Sequence, residues 1–482
     1  MIGNIIGRTE EIKKLSNYIK SDKAEFLVVF GRRRVGKTFL IKQFFNEIFT
    51  FYFSGSEKAP KAEQLYNFTT ALRKYSKKQY PVINTWKKAF IQLEDYLENV
   101  KTEGKKVIFM DEMPWLDTKK SGFVRAFEYF WNTFASSKSD ILLVICGSAT
   151  SWITKKILKN RGGLHGRVTQ QIHLQPFTLH ETEMLLQSKH ITIPRNQITE
   201  YYMILGGIPY YLEQIEKDKS LAQNVDNMFF KKGGNLRTEY KKIFNSLFLS
   251  PEKYMQIIEV LSQKRKGLSR DEVSKLTGIS NGGGLTDILD ELEQCGFIMI
   301  HDNFSTNTNG KLYQLSDFYS LFYLHFVKDK KGTNSNFWST LIDNQAHKSW
   351  TGFSFEILCQ AHIEQIKKKL GILGVVSYVS GWRSKEKAID NDSETERGTQ
   401  IDLIIDRNDN VINLCEMKFY NTEFSIDKDY DKILRDRKWT FAEETKTKKA
   451  LHTTLITTYG VKQNMYWHNI QSEVTLDDLF EN

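Results

Sequence analysis

A glycine-rich stretch, GRRRVGKT, occupies residues 31–38 and lies between two patterns of different period. The apolar run FLVVF ends immediately before it, as a buried strand would, and a helical pattern follows. The stretch matches the phosphate-binding motif G-x-x-x-x-G-K-[ST]. Because such a loop directs backbone N–H groups and the positive end of a helix dipole at one point, it predicts a phosphate site on an α/β fold. We expect the whole loop to line this site: Gly31, Arg32, Arg33, Arg34, Val35, Gly36, Lys37 and Thr38.

A second motif, KKVIFMDE, supplies the acids that a nucleotide site needs. Its apolar strand pattern carries Asp111 and Glu112 to the carboxyl end of a strand. We expect Lys37 to contact the β and γ phosphates of ATP, and Thr38 and Asp111 to hold Mg²⁺. Glu112 would then orient an attacking water, so the pair of acids favours hydrolysis over binding alone.

Three further residues are candidates for sensing the γ phosphate. Ser148 ends the strand pattern ILLVICGSA, where its side chain can either contact the phosphate or cap the following helix. Arg161 and Arg167 follow that helix, and each is either an arginine finger that acts on a neighbouring subunit or an ordinary solvated arginine. An arginine finger needs a second copy of this chain, so this alternative implies a homo-oligomer.

The chain has 482 residues, more than a single hydrophobic core accommodates, so several domains are expected. In residues 1–179 short β-rich runs alternate with amphipathic segments, which predicts an ATPase core with a mainly parallel sheet. Helical periodicity in residues 180–248 predicts a helical lid. Residues 249–327 contain three helical segments, the first two separated by a capping-box pattern at Ser269 and Glu272, and then two β-like runs; together they predict a winged helix-turn-helix. Residues 336–482 are expected to form a further α/β domain.

That last segment contains a second group of charged residues, in the hairpin pattern TQIDLIIDRNDNVINLCEMKFY. Glu416 and Lys418 are two apart on one strand and therefore share a face, and the hairpin can bring Asp402 beside them. Glu356 lies upstream on a helical pattern. Two carboxylates that hold Mg²⁺ or Mn²⁺, with a lysine nearby, suit the hydrolysis of a phosphodiester such as DNA. The alternative is a surface hairpin with ordinary charges.

Several of these motifs together resemble a known family. GRTEEIKKL, GRRRVGKT, IFMDEMPWL, CGSATSW, LHGRVTQQIHLQPF and GGIPYYL are similar to the archaeal-type ATPase family, near the STAND branch of the AAA+ ATPases. The resemblance implies that Gly7 and Arg8 lie near the adenine. It also implies that Pro209, in the Gly-x-Pro element, couples the nucleotide to the domains that follow.

The C-terminal motif resembles the PD-(D/E)XK nuclease core, and its position behind such an ATPase resembles the DUF234 arrangement. Ile401 stands where that superfamily often has a proline before the aspartate. The resemblance implies an ATP-dependent switch coupled to a metal-dependent DNA nuclease whose catalytic residues are Glu356, Asp402, Glu416 and Lys418. The alternative is a STAND-like signalling or scaffold NTPase whose C-terminal domain binds DNA or protein without cleaving it.

Composition limits the partners. The net charge of +10 is compatible with a polyanionic partner such as DNA. The third helical segment of the predicted winged helix, TDILDELEQC, would be the recognition helix, but it is acidic, which favours a structural or autoinhibitory role over base recognition. The four widely spaced cysteines fit buried, reduced thiols, and no apolar run is long enough to span a bilayer. We therefore expect a cytoplasmic protein without a membrane segment.

Overall fold

The computed structural model describes residues 5–248, 250–264, 267–302, 304, 310–330, 334–342, 344–384 and 399–481. The chain divides into two compact units. The first comprises Met1–Pro176 and Ile208–Tyr210, and the second comprises Phe177–Gly207 and Tyr211–Asn482. Among the described residues, no helix combines the length and the apolar character needed to cross a membrane.

The first unit is built on a five-stranded parallel sheet, which confirms the predicted α/β fold. Its strands are β1 (Glu25–Phe30), β2 (Phe51–Ser54), β3 (Lys106–Asp111), β4 (Ile141–Gly147) and β5 (Gln170–His173), in the spatial order β2-β3-β4-β1-β5. Every residue of β1 and β4 is buried, because helices cover both faces of a parallel sheet. The motif loop follows β1, which lies between β4 and β5, so it opens at the carboxyl edge of the sheet.

The helices of this unit are α1 (Thr9–Ile19), α2 (Lys37–Phe44), α3 (Lys61–Ser76), α4 (Trp86–Asn99), α5 (Phe123–Thr133) and α6 (Thr150–Ile153). An aromatic core joins α3, α4 and α5 to the sheet. Within it the ring of Phe68 contacts those of Phe51 and Trp86 edge to face, and Trp86 packs on Phe123 with ring centroids 4.9 Å apart.

The second unit begins with the helices α7 (Leu179–Ser188) and α8 (Arg195–Leu205). A short helix, α9 (Pro209–Leu212), crosses the boundary between the units, and α10 (Leu221–Val225) and α11 (Glu239–Leu247) follow. Thr178 and Glu181 form a capping box that starts α7. This segment is helical where helical periodicity predicts it.

Three helices and a small antiparallel sheet come next. The helices are α12 (Pro251–Ser262), α13 (Arg270–Thr277) and α14 (Gly283–Gln294), and the strands are β6 (Leu268–Ser269), β7 (Ile298–Asp302) and β8 (Lys311–Leu315), in the order β6-β8-β7. Ser269 and Glu272 form the predicted capping box at the start of α13. The assignment of this segment to the winged helix-turn-helix class stays a prediction.

The C-terminal part contains a five-stranded mixed sheet. Its strands are β9 (Ser377–Arg383), β10 (Gln400–Arg407), β11 (Val411–Lys418), β12 (Ala450–Thr457) and β13 (Ser472–Thr475), in the order β13-β12-β11-β10-β9. The first three strands pair antiparallel, and β11, β12 and β13 pair parallel. The helices of this part are α15 (Phe318–Phe322), α16 (Gln345–Ala361), α17 (Ile363–Lys369), α18 (Lys428–Thr445) and α19 (Leu476–Leu479).

Two helices cover this sheet. Phe441 of α18 packs with Ile404, Ile412 and Leu414 in one apolar cluster, and α16 packs against β11. All four cysteines of the chain lie in described residues, and each is buried and free of disulfides, as the sequence predicts.

Candidate nucleotide site and a second group of carboxylates

The motif loop depends on two glycines with backbone conformations that other residues avoid. Gly31 has a φ of 143°, and a Cβ there would lie 2.3 Å from the backbone oxygen of Leu174. Gly36 has a φ of 92° and directly precedes α2, with open space where a Cβ would be. The loop therefore turns tightly from β1 into the N-terminus of a helix, and nothing obstructs the approach to Gly36.

Lys37, the first residue of α2, is buried with its ammonium folded toward its own loop. Its Nζ donates to the backbone oxygens of Gly31 at 2.9 Å and Arg32 at 2.8 Å. It also donates to Oγ of Ser148, 3.4 Å away at the end of β4. The cation is thus held at the mouth of the loop by oxygens that an anionic ligand can replace.

Thr38 and Asp111 come together as predicted for a Mg²⁺ site. Thr38 Oγ1 donates to Asp111 Oδ2 at 2.8 Å, and the backbone N–H of Glu112 donates to Asp111 Oδ1 at 2.9 Å. Burial and then the neighbouring charge of Glu112 raise the pKa of Asp111, against the opposing effect of these donors. A buried carboxylate with that balance gains stability from a bound cation, so the chemistry of the pair fits Mg²⁺.

Glu112 is held by Ser148. Its Oε1 accepts from the Ser148 hydroxyl at 2.6 Å, and its Oε2 accepts from the Ser148 backbone N–H at 3.1 Å. Ser148 therefore connects Lys37 to Glu112 across the site. Helix α6 begins after Ala149 without a side-chain cap, so the hydroxyl of Ser148 contacts Glu112 and Lys37 and does not cap the helix.

Arg8, which precedes the loop in sequence, and Arg34, which belongs to it, both make contacts that involve the loop. Gly7 and Arg8 have left-handed backbones with φ of 63° and 58°, and Arg8 Nη2 donates to the backbone oxygen of Val35 at 3.1 Å. The guanidinium of Arg34 lies over the ring of Tyr210, 3.9 Å from its centroid. Among the expected loop residues, Arg32 is buried and Arg33 lies 4.0 Å from Glu57 at the surface.

Two of the expected arginines lie apart from this network. Arg161 and Arg167 are both exposed in the segment that follows α6. Their exposure fits a contact with a second subunit and a solvated side chain equally well, so both alternatives remain predictions. Pro209 is the first residue of α9, the position in a helix where proline fits best.

One residue near the site was not predicted. His173 ends β5, and its ring stacks on Phe30 with centroids 4.6 Å apart. Partial desolvation and then the charge of Lys37 lower the pKa of His173. Its place in the motif LHGRVTQQIHLQPF, at the end of a strand, is the only signal in the sequence that could have identified it.

In the C-terminal part, Glu416 is surrounded by donors. Lys418 Nζ lies 2.9 Å from its Oε1, and Arg437 and Tyr430 of α18 also donate to its carboxylate. Burial raises the pKa of Glu416, but Lys418 and Arg437 together outweigh it, so the pKa is lowered. The Glu416–Lys418 contact follows the predicted spacing, whereas Arg437 and Tyr430 had no signal in the motif.

Asp402 lies in a different cleft. The pairing of β10 with β9 shifts register between Ile401 and Ile404, where β10 carries one extra residue. Asp402 accepts from Gln400 Nε2 at 2.7 Å and lines a cavity of about 50 Å³ together with Glu356. The cleft of Glu416 is lined by residues of β11 and α18 together with Thr453 and Ile401, and Ile401 also lines the Asp402 cavity.

This bulge lies in the pairing of β10 with β9, whereas β10 pairs with β11 in regular register, with Leu403 opposite Cys415. The Asp402–Glu416 pair therefore stays a prediction. In the part of the chain that the structure describes, no three His, Cys, Asp or Glu side chains converge as a metal-binding group. The structure brings Glu356 together with Asp402, and Glu416 together with Lys418.

Several known proteins are similar to this chain over different lengths. An uncharacterized protein of Methanocaldococcus jannaschii is 25% identical over 447 residues, which cover 89% of this chain and 90% of that protein. An uncharacterized ATP-binding protein of the same organism is 46% identical over 39 residues, 8% of this chain and 66% of that protein. The solved structure of a Walker-type ATPase of Pyrococcus abyssi is 18% identical, covers 67% of this chain and 96% of its own, and has a TM-score of 0.47.

The family model for the ATPase domain predominantly from Archaea matches residues 5–215, the segment that contains the motif loop, both acids and Pro209. Residues 5–215 are therefore similar to the archaeal-type ATPase domain, and the motif loop within them follows a strand of a parallel five-stranded sheet.

Proposed function

We propose that the protein is a molecular switch that binds and hydrolyses ATP at the motif loop. The observation that carries the proposal is the contact network in which Ser148 links Lys37 to Glu112, beside the Thr38–Asp111 pair. This network combines a cation for phosphates, a hydroxyl and a carboxylate for Mg²⁺, and a second carboxylate next to them. The match of residues 5–215 to an archaeal-type ATPase domain supports the same activity.

Each residue has a distinct task in this proposal. Lys37 exchanges its backbone acceptors for the β and γ phosphates of ATP. Thr38 and Asp111 would hold Mg²⁺, which supplies neutralisation of the phosphate charge. Glu112 orients a water and accepts its proton, for which one of its two oxygens must leave Ser148.

Lys37→Ala tests nucleotide binding. We expect calorimetry with Mg·ATP to show at least a hundredfold loss of affinity, because the variant lacks the loop's phosphate-binding cation. Lys42→Ala is the matched control, since Lys42 lies on the same helix with its ammonium over the ring of Tyr52. Equal affinity in Lys37→Ala and wild type would contradict the proposal.

We further propose that ATP controls the second unit, with residues 249–327 acting as a relay. The backbone N–H of Phe304 donates to the backbone oxygen of Gly381 in β9 at 2.8 Å, and Phe304 packs on Phe441. His301 and Gln314, from β7 and β8, line the same cavity as Glu356 and Asp402. These contacts support an autoinhibitory role over DNA reading, because the hairpin is engaged beside the cleft.

A metal-dependent DNA nuclease is the second candidate for the output of the switch. It is favoured by the cavity that Glu356 and Asp402 share and by the contact of Glu416 with Lys418. Among the described residues, no three His, Cys, Asp or Glu side chains lie close enough together to bind one metal ion. The competing output is a domain that binds DNA or protein without cleavage.

Plasmid cleavage by the full-length chain in Mn²⁺ or Mg²⁺, with and without ATP, separates the two outputs. The nuclease proposal expects cleavage that Asp402→Ala, Glu416→Ala and Lys418→Ala each reduce. Asp406→Ala is the control on the same strand as Asp402, since Asp406 is paired with Lys449. If the plasmid stayed intact under every condition, the nuclease proposal would be wrong, and a domain that binds DNA or protein without cleaving it would remain.

A further inference from the structure

Arg34 occupies a backbone conformation that arginine disfavours. Its φ is 76°, in the left-handed region where the Cβ of any residue other than glycine crowds the backbone. It lies inside the motif loop, between the two glycines that the loop requires. A residue in such a conformation persists only where its surroundings hold it there.

The surroundings of Arg34 include an aromatic ring from a distant part of the sequence. The guanidinium carbon lies 3.9 Å from the centroid of Tyr210, which is cation–π geometry. Tyr210 belongs to the same compact unit as the loop, through the short segment Ile208–Tyr210. Tyr210 is 42% exposed, so its position is not explained by burial in a core.

The chain around Tyr210 fixes the position of the ring. Ile208 is fully buried, and Pro209 opens α9 with the φ that a first helical residue needs. On the other side of the loop, Arg8 donates to the backbone oxygen of Val35. Two adjacent loop residues, Arg34 and Val35, are thus held from two separate segments.

We propose that Tyr210 is a positioning residue for nucleotide binding, because it holds Arg34 in the conformation that keeps the loop open to the phosphates. The inference rests on the proposed function, since it takes ATP to be the ligand of this loop. Tyr210 acts before the nucleotide arrives, so it affects the affinity and not the rate of the hydrolytic step. The ring is needed and the hydroxyl is not.

A double-mutant cycle on the full chain tests this. Calorimetry with a non-hydrolysable Mg·ATP analogue is expected to show a two- to fivefold weaker affinity for Tyr210→Leu, the size of an exposed cation–π contact. Steady-state hydrolysis should show the same rise in KM with kcat unchanged. Tyr210→Phe keeps the ring and should match wild type, as should the control Tyr66→Leu, which removes another exposed tyrosine of the same unit.

The decisive measurement is the effect of Tyr210→Leu on nucleotide affinity in a protein that already carries Arg34→Gly. Glycine adopts a positive φ at no steric cost, so the loop no longer needs the ring, and adding Tyr210→Leu should leave the affinity unchanged. An equal loss in both backgrounds, a loss in Tyr210→Phe, or wild-type affinity in Tyr210→Leu would each overturn the proposal. Absence of binding by the wild-type chain would instead overturn the proposed function itself.

Discussion

At the scale of single residues, two neighbouring acids have different surroundings and therefore different chemistry. Asp111 is buried at the end of β3, with a raised pKa and a partner, Thr38, that suits a cation. Glu112 has a left-handed backbone with a φ of 45°, which turns its side chain toward Ser148. In the proposed function, these surroundings suit Asp111 to holding Mg²⁺ and Glu112 to orienting the water.

Glu112→Gln is expected to bind ATP with nearly wild-type affinity and to hydrolyse it about 10² to 10⁴ times more slowly, because the carboxamide cannot accept the proton of water. Phosphate release at saturating ATP measures the rate, and calorimetry measures the affinity. Glu57→Gln is the control, since Glu57 lies at the surface near Arg33. If Glu112→Gln released phosphate at the wild-type rate, a group other than Glu112 would orient the attacking water.

A buried histidine makes the second unit sensitive to acid. His362 donates from Nδ1 to the backbone oxygen of Leu358 at 2.9 Å and accepts at Nε2 from the backbone N–H of Leu179 at 3.1 Å. Burial lowers the pKa of His362 to about 4, because there is no room to hydrate a charged ring. The unfolded chain therefore takes up this proton at higher pH than the folded chain does.

From this difference we expect the free energy of unfolding to be fully maintained above about pH 6.5 and to fall by about 3 kcal/mol between pH 6.5 and pH 4. His362→Gln keeps a donor and an acceptor but does not titrate, so it should lose less stability over the same range. Urea unfolding of both proteins at several pH values measures the difference. Parallel pH dependence in the two proteins would show that other groups dominate.

At the scale of elements, the hairpin of β7 and β8 is joined to the five-stranded sheet of the C-terminal part. The backbone hydrogen bond from Phe304 to Gly381 extends the edge strand β9, and the ring of Phe304 enters the cluster that contains Trp382 and Phe441. An edge strand that is paired in this way is no longer open to other chains. The hairpin therefore contributes both to the core and to the wall of the Asp402 cavity.

Phe304→Ala is expected to release this contact at a cost of about 2 kcal/mol, since the ring is only partly buried. Amide hydrogen exchange should become faster in both β7 and β9. Tyr378→Ala is the matched control, because Tyr378 lies on β9 and is exposed. If exchange in β9 stayed unchanged in Phe304→Ala, the aromatic contact would not be what holds the hairpin.

At the scale of the whole molecule, the proposed switch requires that ATP bind one state of the second unit better than another. A ligand shifts an equilibrium only by its differential affinity for the two states. The nucleotide site lies entirely in the first unit, while the two clefts that contain carboxylates lie in the second. Coupling between them is therefore a property of the full-length chain.

We expect Mg·ATP to change amide exchange in the second unit when hydrolysis is blocked by Glu112→Gln. The affected residues should include those of the β7–β8 hairpin, because they line the Asp402 cavity. The same nucleotide should change nothing in Lys37→Ala, which controls for effects of free ATP. If amide exchange in Glu112→Gln were the same with and without ATP, the protein would be an ATPase whose nucleotide does not control the second unit.

The sequence by itself determined the features that depend on a few adjacent residues. The positive φ at Gly31 and Gly36, the acids at the end of β3 and the capping box at Ser269 follow from local backbone chemistry. The alternation of strand and helix patterns also predicted the parallel sheet correctly. The order β2-β3-β4-β1-β5 had no local signal, because it depends on crossovers between distant strands.

Only the tertiary structure decided which distant side chains meet. The ring of Tyr210 over Arg34 and the donors of α18 on Glu416 join segments that are far apart in sequence. In β10, a single extra residue between Ile401 and Ile404 interrupts the pairing with β9, whereas the pairing with β11 keeps a regular register from Leu403 to Asp406. A period-two pattern cannot reveal such a bulge, because the composition of the strand is the same with or without it, whereas packing against the neighbouring strand selects one register.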